Sequence, residues 1–216
     1  MNQISSSNDI VSKDNLCSPP SYSFQQMLDD LREDIDRYVF MGNDERPWLF
    51  MLLAHQGLWA LVEYRLHRWV AIRVHIPIIR QILRVFGFVW HKLIQIITGI
   101  DLPHKADLGK GLYINHFGGI TINPDVKIGE FCNLSPDITI GFGGRGDKQG
   151  CPTLGDRVFI GPGARIFGAI TIGSDVAIGA NAVVTKDLPE QAVAVGIPAK
   201  VINYKGAQDF VHYRKK

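Results

Sequence analysis

The second half of the chain carries a large apolar residue at every sixth position, from Leu154 to Val184. A second apolar residue follows most of them four positions later, beginning with Val158. An α-helix repeats every 3.6 residues and a strand every 2, so neither produces a period of six. A solenoid of short strands does, because one hexapeptide forms one face of a triangular coil and three form a turn. We therefore predict a parallel β-coil in which the branched residue points inward and a small residue, such as Gly155, lets the chain turn the corner.

The same period extends upstream to Leu108, which gives twelve hexapeptides and about four coils. Two interruptions break it, because Ile114 and Ile122 are eight residues apart and Ile140 and Leu154 are fourteen apart. Insertions of two and eight residues are therefore predicted. A regular coil needs no insertion to be stable, and loops often carry function, so we expect function at both. The alternative is that both are neutral surface loops.

The first half of the chain has helical periodicity instead. It predicts three helices, at 22–39, 47–72 and 77–98, with Ser21 or Ser23 capping the first. The chain is thus mainly β, with an α-helical domain before the coil. The predicted organisation is a disordered leader at 1–20, an α-helical N-terminal domain at 21–100, a β-helix domain at 101–203 and a basic tail at 204–216.

The basic residues of 46–100 raise the question of an anionic partner, because this range has seven Arg or Lys and one Glu. Apolar residues are interleaved with them, which favours a packed helical layer with basic rims over a nucleic-acid surface. Peripheral contact of 75–100 with a membrane is the sharper alternative. The apolar run 47–62 is shorter than the roughly 20 residues that a spanning helix needs, and it includes His55 and Gln56.

The three cysteines, Cys17, Cys132 and Cys151, have neither metal-ligand spacing nor a paired framework. Cys132 occupies a small inward position of the coil and is expected in the core. This usage fits a reducing compartment, and we predict a cytoplasmic protein with no metal.

His116 lies in the first insertion, between Asn115 and a pair of glycines. An imidazole held away from the core can take a proton at neutral pH, because its unperturbed pKa is about 6.5. A carboxylate that fixes its tautomer makes it a better base. Asp101 lies fifteen residues earlier, close to one coil of eighteen, so it is the predicted partner. The other histidines receive no role.

The second insertion, 141–150, contains five glycines. Glycine lets a ligand approach the backbone closely and exposes N–H donors. The segment lacks the GxxxxGK[ST] pattern of a nucleotide P-loop. It is a candidate binding loop, although many surface loops have a similar composition.

These stretches resemble the serine O-acetyltransferases, a family of left-handed β-helix, hexapeptide-repeat acyltransferases. The resemblance rests on DLPHKADLGKGLYINHFGG from Asp101, on the GFGGRG loop, on GPGARIFGAITIGSDVAIGANAVVTKDLP and on GIPAK. It extends over about 28–203, and the helical part is similar to a shortened form of that family's N-terminal domain.

The resemblance implies that acetyl-CoA and an alcohol bind together, without a covalent enzyme intermediate or a metal. His116 would remove the hydroxyl proton while Asp101 orients it. The CoA arm would lie in a groove between subunits of a homotrimer, or of a dimer of trimers. The implied cofactor-binding residues are Gly143, Gly144, Ala164, Ala180, Lys186 and Lys200, with plain repeat packing as the alternative for the two alanines.

Two departures concern the acceptor. Family members that use serine have an Arg-His pair before a proline, where this chain has Gly150 and Cys151 before Pro152. They have Asp before the catalytic histidine, where this chain has Asn115. Unpaired charges of a bound zwitterion are costly, which disfavours serine as the acceptor. In these positions the chain resembles the subgroup of the family that is associated with surface-polysaccharide synthesis.

We therefore predict acetyl transfer to a sugar or glycan hydroxyl, with Asn115, Cys151 and Arg145 facing the acceptor. The alternative is serine O-acetyltransferase, with Arg145 or Lys148 replacing the missing arginine. A second alternative is a β-helix scaffold without catalysis.

Overall fold

The computed structural model describes residues 22–43 and 46–214. Four helices come first, and fifteen short strands follow. The helices are α1 (Phe24–Met41), α2 (Trp48–Ala54), α3 (Gln56–Arg73) and α4 (Pro77–Thr98). The predicted leader at 1–20 lies outside the described residues.

The strands are two to four residues long, as a coil of hexapeptides requires. They are β1 (Ile100–Asp101), β2 (Asp107–Leu108), β3 (Tyr113–Ile114), β4 (Ile120–Ile122), β5 (Lys127–Ile128), β6 (Asn133–Leu134), β7 (Thr139–Gly141), β8 (Thr153–Leu154), β9 (Phe159–Ile160), β10 (Arg165–Phe167), β11 (Thr171–Ile172), β12 (Ala177–Ile178), β13 (Val183–Val184), β14 (Val193–Val195) and β15 (Lys200–Asn203).

Every third strand of the coil joins the same sheet, so the coil has three parallel faces. Their strand orders are β1-β4-β7-β10-β13, β2-β5-β8-β11 and β3-β6-β9-β12-β14, and β15 adds an antiparallel strand to the third. The mainly β parallel-coil fold with helices before it is therefore confirmed.

The strand register locates both insertions where the period predicts them. Arg165 pairs with Val183, a coil of eighteen residues. The register runs from Asp101 to Thr121 across the first insertion, and from Thr139 to Arg165 across the second. These coils are two and eight residues longer, so the extra residues leave the coil while the ladder continues.

One position of the hexapeptide turns the chain at the corner, and a different position lets successive coils stack closely. Backbone with positive φ lies three residues after the large inward residue, as at Arg157 and Asp175, rather than at the glycine directly after it. That glycine permits close stacking instead: a Cβ on Gly155 would lie 2.7 Å from the Ser174 nitrogen. The expectation that the small residue itself makes the corner was wrong, because the contact between coils constrains it.

The inward residues of the coil form one continuous core, in which Ile140, Ile166 and Ile172 have no exposed surface. Burying each such side chain contributes roughly 1.5–3 kcal/mol. Cys132 is also fully buried in this core, as predicted, and burial raises the pKa of its thiol to about 12.

The helices attach to the lower coils through buried polar side chains. Arg65 of α3 donates to both carboxylate oxygens of Asp34 at 2.9 and 3.2 Å, and to the carbonyl of Leu108 at 2.7 Å. Arg37 of α1 donates to carbonyls of two successive coils and to that of His212 near the end of the described chain. The helical and coil parts therefore share one interior.

Two of the three predicted helices agree with the structure. Ser23 caps α1 by accepting from the nitrogen of Gln26 at 3.0 Å, and α4 spans the predicted range. The predicted helix 47–72 is instead divided into α2 and α3, because His55 has extended backbone angles. Gly57 follows, where a Cβ would lie 2.4 Å from the Tyr38 hydroxyl oxygen. The absence of a side chain at Gly57 thus lets α3 approach α1 closely.

The outward side of α4 is apolar. Its large exposed side chains recur at helical spacing and include Ile78, Ile82, Phe86, Val89 and Ile96, the last with 78% of its surface exposed. No acidic residue occurs in the helix. In the described chain, no helix combines the length and apolarity needed to cross a membrane.

Candidate active site

The first insertion presents His116 to solvent. The loop follows β3, and its imidazole is exposed. Gly118 and Gly119 have φ values of 100° and 66°, which turn the chain back into β4. In the described part of the chain the His116 ring makes no hydrogen bond. An exposed, unpaired imidazole can meet a substrate hydroxyl and accept its proton.

Asp101, the predicted partner of His116, is engaged elsewhere in the single chain. Its Oδ1 lies 3.1 Å from Nε2 of His91, and its Oδ2 accepts from the Gln95 amide at 2.9 Å. Its register neighbour is Thr121. No hydrogen bond joins Asp101 to His116 within the described residues, so the structure does not form the predicted contact. A carboxylate has about four acceptor positions, which leaves room for another donor.

His91 bridges Asp101 to a second carboxylate, that of Glu63. Its Nδ1 lies 3.0 Å from one Glu63 oxygen, and the other oxygen lies 3.0 Å from Nδ1 of His67. Hydrogen bonds to Asp101 and Glu63 raise the pKa of His91 to about 9. Burial acts to raise the pKa of Glu63, but the hydrogen bonds from both histidines outweigh it and the net shift is downward. His104 stacks on His67, and burial together with His67 lowers its pKa to about 4.

The glycine loop of the second insertion closes on itself. Gly143 and Gly150 exchange two backbone hydrogen bonds of 3.0 and 2.9 Å. A short 3-10 turn at Gly146–Lys148 forms the tip. Gly144 has a φ of 83°, and a Cβ there would lie 1.9 Å from the Lys148 carbonyl oxygen. Glycine is therefore required at this position for the loop to close.

The residues expected to hold CoA divide into buried and accessible ones. Ala164 is fully buried, and both its N–H and its carbonyl are hydrogen-bonded within the coil, so it has a packing role in the single chain. Ala180 is exposed, and its N–H makes no hydrogen bond in the described chain. Lys186 and Lys200 are exposed and form no ion pair among the described residues. The last three can therefore reach a ligand.

The residues expected to face the acceptor differ in whether their side chains already form hydrogen bonds or ion pairs within the chain. Asn115 accepts from the Tyr113 hydroxyl at 3.1 Å. The Cys151 thiol donates to Asn123 Oδ1 at 3.3 Å, and burial raises its pKa. Arg145 is exposed and forms no ion pair in the described chain. Lys148 is paired with Asp187 at 3.0 Å, so Arg145 is the better candidate for an anionic group.

A cavity of about 530 Å³ lies beside the C-terminal segment. Arg157, Asp175 and Tyr213 contribute to its lining. None of the predicted catalytic or CoA-binding residues lines it. The accessible candidates Ala180, Lys186 and Lys200 are exposed in the single chain.

The group formed by Glu63, His67, His91 and His104 was not predicted from the sequence. One signal was present, because Glu63 and His67 are four residues apart on a helix and so share a face. His91 comes from another helix. Only the packing of α3 against α4 brings it to Glu63, and no spacing in the sequence reports that contact.

Several known proteins are similar to this chain in sequence. Residues 152–186 match the family model of the bacterial transferase hexapeptide (six repeats). The chain is 40% identical to the serine acetyltransferase of Helicobacter pylori strain J99 over 173 residues, which is 80% of this chain and 96% of that protein. It is 34% identical to the serine acetyltransferase of Synechococcus elongatus over 163 residues, 76% of this chain and 64% of the longer relative.

Solved structures agree with the sequence relatives. The crystal structure of serine acetyltransferase from Brucella abortus in complex with coenzyme A superposes with a TM-score of 0.71. It is 25% identical, and the match covers 85% of this chain and 70% of that one. The shared fold includes both the helical region and the coil.

Proposed function

Because the chain belongs to the serine acetyltransferase family of left-handed β-helix, hexapeptide-repeat acyltransferases, we propose that it transfers acetyl from acetyl-CoA to the hydroxyl of L-serine. The acyltransferase class and the acetyl-CoA co-substrate agree with the sequence prediction. The acceptor differs from the preferred prediction of a sugar, because the relatives are named for serine. The observation that carries the proposal is 40% identity over 96% of the Helicobacter enzyme.

In the proposed reaction His116 takes the proton of the serine hydroxyl. The resulting alkoxide attacks the thioester carbonyl, and the C–S bond breaks as the tetrahedral intermediate collapses. The leaving CoA thiolate then receives the proton from the imidazolium, so the histidine is restored. This role requires an accessible imidazole with a free nitrogen, and His116 has both.

We assign Asp101 the role of orienting His116 in the assembled site. Its anchoring by His91 and Gln95 holds the carboxylate in place while spare acceptor capacity remains. Asp101→Asn should lower turnover and leave acetyl-CoA affinity unchanged, because an amide stabilises the imidazolium poorly. Single-turnover kinetics with a CoA-binding titration test this. Lost CoA binding with normal turnover of bound substrate would make Asp101 structural.

Recognition of serine needs a cation for its carboxylate, and Gly150 supplies none. Arg145, at the tip of the glycine loop and without an ion pair in the described chain, is our candidate. A sugar hydroxyl is the second candidate acceptor. It is favoured by the neutral Gly150–Cys151 pair and by Asn115, since a neutral acceptor leaves no buried charge without a partner.

The deciding measurement is kcat/KM for L-serine beside a panel of nucleotide sugars and oligosaccharides. An efficiency of about 10⁴ M⁻¹s⁻¹ or more with serine would place it among ordinary enzyme substrates. Arg145→Ala should then raise KM for serine. A low kcat/KM for serine in the parent, together with a high value in the Gly150→Arg/Cys151→His double variant, would favour the sugar acceptor.

We further propose that the chain works as a trimer or a multiple of one. The accessible Ala180, Lys186 and Lys200 lie on the open surface of the coil, and a groove there needs a neighbouring subunit to become enclosed. Sedimentation velocity with activity measured at the same concentration tests this. A fully active monomer would overturn it.

Finally, we propose a cytoplasmic enzyme that contacts an anionic membrane surface through α4. The exposed apolar stripe that includes Ile82 and Phe86 suits insertion between head groups, and Arg80, Arg84 and Lys92 suit anionic lipid. The parent protein should co-sediment with anionic vesicles. Co-sedimentation should decrease when the vesicles are neutral, and it should also decrease for the Ile82→Asp variant. An apolar stripe that is instead buried between subunits would leave vesicle binding absent and make Ile82→Asp dissociate the oligomer.

A further inference from the structure

Two helices bring three potential metal ligands together beside the coil. Glu63 and His67 are one turn apart on α3, and His91 faces them from α4. One ligand atom from each of the three side chains can be chosen so that all lie within 4.8 Å of one another. We propose that Glu63, His67 and His91 form a binding site for a divalent transition-metal ion of the zinc class, a site that supplies no step of the acyl transfer and meets its proposed residues only through the hydrogen bond between His91 and Asp101.

The donor atoms converge on one point. Nδ1 of His67 and Nδ1 of His91 each lie 3.0 Å from a different oxygen of the same Glu63 carboxylate. Ligands about 2.1 Å from a tetrahedral ion are roughly 3.4 Å apart. The present spacing of these atoms, within 4.8 Å of one another, is therefore close to that of a bound ion's ligands. Two imidazoles and one carboxylate are the ligand set of open zinc sites, which keep a fourth position for water.

Burial explains why a cation is favoured here. The Glu63 side chain is 2% exposed, and among the described residues neither Arg nor Lys contacts it. A buried carboxylate needs a positive partner or a metal, and an ion bound here would take the place of the protons that the two imidazoles share with Glu63. The two imidazole side chains remain 13% and 16% exposed, so an ion has a route from solvent.

The surroundings also fit a metal site. A metal-bound histidine commonly donates its other N–H to a carboxylate, which fixes the ring. Nε2 of His91 already lies 3.1 Å from Asp101 Oδ1, and Gln95 holds the second oxygen of Asp101. On the opposite side, His104 stacks on His67 with ring centroids 4.3 Å apart. Both ligand rings are thus held in place before any ion binds.

The test uses the full chain without an affinity tag, freed of metal with a chelator and titrated with Zn²⁺ by calorimetry. One Zn²⁺ per chain should bind with a dissociation constant in the micromolar range or below. His67→Ala should weaken binding about 100-fold or more, and Asp101→Asn about 10–100-fold, the usual effect of a residue that orients a ligand. His75→Ala, an exposed histidine outside the group, is the matched control and should bind as the parent does.

Cys151→Ser serves as the background in all variants, because a thiolate would compete for Zn²⁺. Glu63→Gln keeps the shape and removes the charge, so it replaces His67→Ala if circular dichroism shows that variant to be unfolded. X-ray absorption of the Zn²⁺ form should show nitrogen and oxygen ligands with two imidazoles. Absence of saturable binding, binding unchanged by the Glu63 and His67 variants, or sulfur ligation would each overturn the inference. None of these readouts depends on acetyl transfer, so they stand apart from the proposed reaction.

Discussion

The coil and the helical region solve the problem of burial in opposite ways. In the coil every repeat places an apolar residue inward, as Ile140, Ile166 and Ile172 show, and the backbone groups pair between successive turns. In the helical region the interior is charged, with Arg65 on Asp34 and two histidines on Glu63. A periodic apolar core is stable with many similar side chains, whereas a buried charge requires one particular partner.

The two regions also differ in where their functional and stabilising polar groups lie. Within the coil, the candidate base stands where the repeat is interrupted. In the helical region, the ionisable groups lie in the packing itself. Substitutions should therefore have effects of different kind in the two regions, and four experiments test this from the largest expected effect to the smallest.

His116→Ala should lower turnover about 10²–10⁴-fold, the usual contribution of a positioned base. The melting temperature should stay near that of the parent, because the side chain is exposed in an insertion. Steady-state kinetics and a thermal melt on one preparation measure both. Near-normal turnover would remove His116 from the mechanism. A large loss of stability would show that the His116 side chain also stabilises the fold.

Arg65→Ala should lower the free energy of unfolding by about 3–5 kcal/mol, because Asp34 would remain buried without its partner. Urea denaturation at fixed protein concentration measures it. The exposed pair of Arg32 and Asp29 supplies the control, since Arg32→Ala should cost at most about 1 kcal/mol. Equal effects at both arginines would show that the helical interior does not depend on this ion pair.

Ile166→Ala in the coil should cost about 2–5 kcal/mol, from lost burial and the cavity that remains. Unlike the arginine variant, it leaves no charge behind, so another apolar residue should restore most of the loss. Ile166→Val should therefore cost only about 0.5–1.5 kcal/mol. Lys127→Ala, an exposed strand position, is the control and should change stability by about 0.5 kcal/mol at most. A valine variant as unstable as the alanine variant would argue against tolerance in the coil.

The metal-free protein should lose stability between about pH 6.5 and pH 9. The pKa of His91 is raised from 6.5 to about 9 by Asp101 and Glu63. Its contribution is therefore fully present below pH 6.5 and is lost as the pH rises through 9. His91→Gln should flatten this part of the profile in urea melts with a chelator present. Unchanged pH dependence in the variant would show that the bridge does not stabilise the fold.

The sequence was most informative where one rule repeats. The six-residue period predicted the parallel coil, and the breaks at Ile114 and Ile140 predicted both insertions with the right lengths. The residue types did not reveal the corners, because positive φ lies three residues after the large inward residue whether that position holds Arg157 or Asp175.

Within the candidate site, prediction succeeded for local features and failed for contacts between elements. His116 was found because glycines flank it and the repeat is broken there. The bonds of Asp101 to His91 and Gln95 depend on how α4 approaches the coil. The close approach of Gly57 to Tyr38 depends likewise on how α3 packs against α1. Such contacts follow from packing, which the order of residues does not specify locally.

The contacts of Arg37 have a consequence for how the protein is made. This side chain belongs to the first described helix, yet its partners lie on two successive coils and at His212. A ribosome releases the helical segment long before those carbonyls exist. Arg37 therefore cannot complete its set of contacts until residue 212 has been made, although its partners at Gly111 and Cys132 exist much earlier. The first described helix thus depends for its last contact on the far end of the described chain.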